Sequence, residues 1–255
     1  MKKVLLISYY WYPWNTSGSF RWLHISEYLN IHTVLTAKPS SKAFLDETMP
    51  RGKAKIILKL FKIPAALWGV IITPIVLAMS LFYDKVIFTI PPEMLLLPAW
   101  LCELLGKDVY VDVRDKIDRP TQPLKKVVPF YHWLYQNIKN SCVTMHYFDV
   151  SKPIIRHGYD DITKLPEEQC DNPAIYDKFY IRKRLSYKKY CEMLARGGVR
   201  VYEGNFKHYT SSSVITLRHL DNRIIGKSNL HKELFEFEPE SWKQISNQMK
   251  EFLNI

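Results

Sequence analysis

The sequence predicts an α/β protein whose first 160 residues form a doubly wound, Rossmann-like parallel sheet. Two observations carry this expectation. Continuous apolar runs of strand length recur along the chain, which is how a strand covered on both faces is written. Each run alternates with a stretch of helical spacing, and that alternation is the pattern of βαβ units with right-handed crossovers. A smaller α/β region is expected over residues 161–255.

The elements follow in order. Residues 2–8 are an apolar run that ends in the aromatic turn Tyr9-Tyr10-Trp11-Tyr12-Pro13, and they read as a buried first strand. A loop through Ser17-Gly18-Ser19 comes next. Phe20, Leu23, Ile25, Tyr28 and Leu29 then lie on one helical face, and 32–36 reads as a short second strand. The pattern returns with a strand at 85–90, a helix at 93–105, a strand at 109–113, a helix within 124–139, and strands at 142–145 and 153–155. Pro166, Pro173 and several acidic residues mark 162–175 as a linker. A helix over 185–196 is closed by Gly197-Gly198. Strands at 199–203 and 213–217 and an amphipathic helix at 240–253 complete the reading.

Composition narrows the function classes. In the 255 residues, 47% are apolar and 24% charged, the ordinary globular range. The formal charge of +11 draws the protein toward phosphates, whether on nucleic acid, on anionic lipid or on a nucleotide-sugar. Cys102, Cys142, Cys170 and Cys191 are scattered without metal-ligand spacing, which reads as reduced thiols in a cytoplasmic protein with no metal site. The opening Met1-Lys2-Lys3 and short apolar run lack the length and cleavage site of a signal peptide. Residues 63–82, IPAALWGVIITPIVLAMSLF, carry no charge and reach membrane-spanning length. A span there would separate strands that need one sheet. The expectation is therefore a buried crossover helix or one resting in the lipid interface.

The order and wording of residues 1–160 resemble the N-terminal domain of family 4 glycosyltransferases with the GT-B fold. VLLISYYWYPWNTSGSFRWLHISEYL is similar to that family's opening strand, glycine-rich loop and first helix. KVIFTIPPE resembles its strand leading into a proline-containing loop, VYVDVRDKIDRP its later strand with a terminal DxRD, and VSKPIIRHGYDDI its closing segment. The family's Gly-Gly pair is here Ser17-Gly18-Ser19, and its closing turn reads Arg156-His157-Gly158-Tyr159-Asp160. Family members carry two glutamates eight positions apart in the second domain; no glutamate pair after residue 160 has that spacing. The resemblance implies a nucleotide-sugar as co-substrate, no cofactor and no metal.

In open α/β sheets ligands bind beyond the carboxyl ends of the strands. That rule nominates Ser17, Gly18 and Ser19, whose backbone N–H groups at a helix start suit an anion, with a plain tight turn as the alternative. It also nominates the 91–93 turn. Arg114 and Asp115 follow a strand; Asp115 suits a base that accepts the acceptor's proton, and the pair equally suits an ion pair pinning the strand end. His146 can orient an acceptor or serve as a structural histidine. Arg156, His157 and Gly158 can meet a diphosphate. The stretch 178–208, with Arg182, Lys183, Arg184, Lys188 and Lys189 among interleaved aromatics, fits a solvated face, an anionic-lipid surface or a nucleic-acid surface.

The leading expectation is a glycosyltransferase acting on a lipid-linked or cell-surface glycan or on a modified DNA base. It would be cytoplasmic, with peripheral membrane contact through 63–82. The alternatives are a half-enzyme subunit that binds acceptor or membrane beside a partner subunit, and a nucleic-acid-binding module.

Overall fold

The computed structural model describes residues 2–14, 17–39, 45–114, 117, 127–144, 149, 151–156, 158–159, 186–195, 200–202, 224–226 and 238–255. The expected strand at 213–217, the glycine stop at 197–198 and the 162–175 linker lie outside these residues. The chain divides into two compact units. One holds residues 1–45, 50–156 and 249–255, and the other 46–49 and 157–248.

The first unit is built on six parallel strands: β1 (Val4–Ile7), β2 (Ile31–Ala37), β3 (Ala54–Leu60), β4 (Lys85–Ile90), β5 (Asp108–Val113) and β6 (Asn140–Val143). Their order across the sheet is β3-β2-β1-β4-β5-β6, the doubly wound order of a Rossmann-like sheet. Helix α1 (Ser17–Ser26) joins β1 to β2, α2 (Ala65–Ser80) joins β3 to β4, α3 (Leu96–Leu104) joins β4 to β5, and α4 (Val128–Gln136) joins β5 to β6. A 3-10 turn over Glu93–Leu95 leads into α3.

Strand alternation sorts the residues onto two faces. Register places Leu5, Val86 and Val109 in one row and Ile7, Phe88 and Val111 in the next. With Trp68, Ile72 and Val76 of α2, Leu96 and Ala99 of α3, and Leu134 of α4, they form the main core. On the opposite face, aligned Thr89, Asp112 and Cys142 sit at the carboxyl edge, and Lys85 and Asp108 at the other end.

The expected strand at 153–155 is reduced to a single parallel bridge from Ile154 to Val143, and one strand of the sheet is unforeseen. β3 carries no expectation in the sequence; its central residues 55–59 are all exposed, because it is an edge strand. Residues 63–82, read as a crossover or interfacial helix, form α2, which joins β3 to β4. Among the described residues no helix is long and apolar enough to cross a membrane. Gly69 lets α2 approach the 3-10 turn: a Cβ there would lie 2.7 Å from the Met94 carbonyl carbon.

In the second unit the described elements are α5 (Tyr187–Ala195) and a parallel pair, β7 (Arg200–Tyr202) with β8 (Ile224–Gly226). β8 has no counterpart in the sequence reading. Helix α6 (Trp242–Leu253) begins in the second unit and ends in the first. Its last turns bury Met249 and Leu253 and set Phe252 edge-on to Tyr110 at 5.3 Å.

Candidate functional site at the carboxyl edge of the sheet

In a doubly wound sheet the ligand crevice opens where the strand order reverses. Here that place is the carboxyl edge between β1 and β4. The chain leaving β1 is strongly aromatic and well fixed. Tyr9 donates its hydroxyl to Ile63 O at 2.8 Å, and its ring meets Tyr10 and Trp68 edge-on at 4.7 and 5.4 Å. Burial pushes the Tyr9 phenol up to about 12, so it stays a hydroxyl donor at neutral pH. Ser8 Oγ donates to Tyr10 O at 2.7 Å and takes a bond from Thr89 Oγ1 at 3.1 Å, joining the ends of β1 and β4. Tyr10 and Tyr12 remain half-buried on this loop.

Ser17, Gly18 and Ser19 are not a loop, as expected, but the opening turn of α1. The buried Ser19 hydroxyl donates to the Trp14 carbonyl, folding the chain back into the helix. The side chain of Ser19 is thus engaged by the protein itself. The first N–H groups of any helix lack intrahelical acceptors, and the macrodipole gives that end partial positive charge.

Arg114 continues directly from β5. Its N–H donates to Ile90 O at 2.9 Å, and its carbonyl accepts from Thr144 Oγ1 at 3.3 Å. A guanidinium nitrogen donates to Pro91 O at 2.9 Å, which holds this buried cation at the turn after β4. Glu93 is buried on that same turn. Burial, and secondarily the Glu93 charge, raises the Tyr131 phenol.

The most extensively bonded group at this edge is one the sequence reading missed. Arg21, fully buried on α1, pairs through Nε with Asp112 Oδ2 at 2.9 Å and donates to Ile155 O at 2.9 Å and Arg156 O at 2.5 Å. Trp22 Nε1 donates to the same carboxylate oxygen at 2.7 Å, and the Cys142 thiol lies 3.5 Å from Oδ1. Burial first, then the Asp112 charge, pushes the Cys142 thiol well up. Asp112, inside the VYVDVRD motif, is therefore a structural anchor. A usable signal existed: an Asp inside an apolar strand and an Arg inside a helical face both occupy core positions, and buried charges occur in pairs.

No family model and no curated protein matches this chain. Among the nominated residues, the carboxyl edge of the first unit gathers the start of α1 (Ser17, Gly18, Ser19), Arg114 and, through its carbonyl on Arg21, Arg156. Asp115, His146, His157 and Arg182, Lys183 and Arg184 lie outside the described residues. Gly158 belongs to the second unit, where a Cβ would lie 2.7 Å from Trp242 N; its smallness serves that close approach. Lys188 and Lys189 are exposed near the start of α5, and the Lys188 N–H donates to Thr48 Oγ1 at 3.2 Å. Among the described residues no cluster of His, Cys, Asp and Glu is arranged to hold a metal ion.

Proposed function

We propose that this protein is a nucleotide-sugar-dependent glycosyltransferase of GT-B type, with its acceptor side on the carboxyl edge of the six-stranded sheet. The observation that carries the reading is the placement of Arg114 and the start of α1 at the reversal point of a 3-2-1-4-5-6 parallel sheet. In the reaction, an acceptor hydroxyl oxygen bonds to the anomeric carbon as that carbon's bond to the phosphate oxygen breaks. The electron pair leaves with the nucleoside diphosphate. Asp115 takes the acceptor proton and His146 orients the acceptor. Arg114, the α1 N-terminus and Arg156 offset the charge growing on the diphosphate. The acceptor is a glycan, lipid-linked or at the cell surface, or a modified DNA base. The buried thiols of Cys102 and Cys142 agree with a cytoplasmic protein.

A second reading is favoured by one sequence fact, the missing glutamate pair: a half-enzyme that binds acceptor while a partner subunit supplies the donor site. A thermal-shift screen against UDP-, GDP-, ADP- and CMP-sugars, with free nucleotides as controls, separates the two. A ligand at a hundred times its dissociation constant adds about 2.7 kcal/mol. A selective shift supports the transferase. No shift with any donor from well-folded protein overturns independent donor binding and leaves the half-enzyme.

A further inference from the structure

Helix α2 is apolar on both sides. Its inner stripe of Trp68, Gly69, Ile72, Val76 and Ser80 is buried. Its outer stripe of Leu67, Val70 and Ile71 faces solvent, and the turn after it adds Leu81 at 61% and Phe82 at 74% exposure. A surface helix ordinarily carries polar residues on that side. Residues 63–82 contain not one charge.

The apolar exposure does not stop at α2. α3 packs between α2 and α4, so the three helices form one layer. At the end of α3, Leu104 is 62% and Leu105 57% exposed. On α4, exposed Phe130 and Trp133 stack with ring centroids 6.2 Å apart, and Trp100 of α3 meets Trp133 edge-on at 5.3 Å. Single exposed apolar residues are normal; a contiguous layer of them marks an interaction surface.

Charge selects the partner. Lys62 leads into α2, while Lys107 and Lys139 follow α3 and α4. The carboxylates of the same stretch are engaged: Asp84 accepts from the Lys3 N–H at 2.6 Å, Glu103 from the Lys139 N–H at 3.2 Å, and Asp108 binds Lys85. A second copy of a chain at +11 would bring like charge to this face. An anionic bilayer brings the opposite charge, takes apolar side chains below its headgroups and favours aromatic rings at its interface.

The geometry points to the outer side of the α2–α3–α4 layer as a docking surface for an anionic lipid bilayer. The helices lie on the membrane without crossing it. Leu67, Ile71 and Phe82 enter the headgroup–acyl boundary, and the flanking lysines meet lipid phosphates. The inference deepens the expectation of lipid contact through 63–82 and is independent of sugar transfer, so a failure of either leaves the other standing.

The test uses the full chain in flotation with vesicles of phosphatidylcholine, alone or with an anionic phosphatidylglycerol fraction. The protein is expected to float with the anionic vesicles and much less with the neutral ones. The triple variant Leu67→Gln/Ile71→Gln/Phe82→Gln is expected to lose at least about tenfold in binding with its thermal midpoint unchanged. Leu104→Gln/Leu105→Gln, on a different helix, is expected to weaken binding in the same direction. Absence of binding to anionic vesicles, equal binding to neutral ones, or wild-type binding by the folded triple variant would overturn the proposal. So would a concentration-dependent dimer abolished by the triple variant, which would make the layer an interface between copies.

Discussion

The two faces of the six-stranded sheet are held by different physics. Between the sheet and α1, apolar packing by Trp22, Leu23 and Ile25 is joined by polar, directional contacts. Arg21 ties α1 to β5 and to the 155–156 backbone through Asp112, Trp22 and two carbonyls. Farther along, Lys85 binds Asp108 and donates to Tyr110 at 3.0 Å. Burial presses the Lys85 ammonium down, but its bonds to Asp108 and Tyr110 outweigh that and raise it overall. Between the sheet and α2–α4 the contacts are almost wholly apolar, and fit is set by volume. Volume tolerates a slide by part of a side chain, whereas hydrogen-bond geometry does not. The polar face is thus the one that fixes the carboxyl edge, holding α1 to the 155–156 backbone. The apolar face leaves its outer side available for another apolar medium.

Breaking the polar face is expected to cost most. Asp112→Ala leaves the buried Arg21 guanidinium without its carboxylate, a loss of about 3–5 kcal/mol read from urea unfolding. Replacing both charges, Arg21→Met with Asp112→Leu, is expected to cost less than Asp112→Ala alone, because no unpaired charge is buried. If the double variant loses the sum of the two single losses, the pair is not coupled and the contrast between the faces weakens. On the apolar face, Gly69→Ala sets two terms against each other. Alanine gains about 1 kcal/mol of helix propensity, but its Cβ would press on Met94 backbone, an overpacking cost of about 1–3 kcal/mol. The net expectation is a modest destabilisation, visible as a lowered thermal midpoint.

A third test uses pH. Burial on α1, beside the Phe20 ring at 4.6 Å, lowers the His24 imidazole to about 3. The unfolded chain takes up that proton near the ordinary value of 6.5, while the folded chain resists it. Stability contributed by neutral His24 is therefore full above about 6.5 and falls as pH drops toward 3, with a slope of up to about one proton. The difference in urea midpoint between wild type and His24→Asn should shrink across that window; a constant difference would mean that His24 is not held neutral. The smallest effect is expected on the outer stripe. Ile71→Gln should change stability by no more than about 0.5 kcal/mol, since its side chain gains little from folding.

By itself, the sequence determined the class of fold, the succession of buried strands and crossover helices, the charge and the uncharged length of 63–82. Each leaves a local trace: a strand covered on both faces must be apolar throughout, and a helix must repeat at its own period. It also brought Arg114 and the start of α1 to notice, because residues just after a buried strand fall at the sheet edge. What only the tertiary structure decided is nonlocal. β3 was invisible because an edge strand exposed at 55–59 keeps no burial pattern. The strand order, and with it the place where the crevice opens, depends on which apolar runs pair, and that choice leaves no mark in any one of them. Arg21 and Asp112 lie 91 residues apart; each looks like an ordinary charge until folding buries both and the cost of burial forces them together.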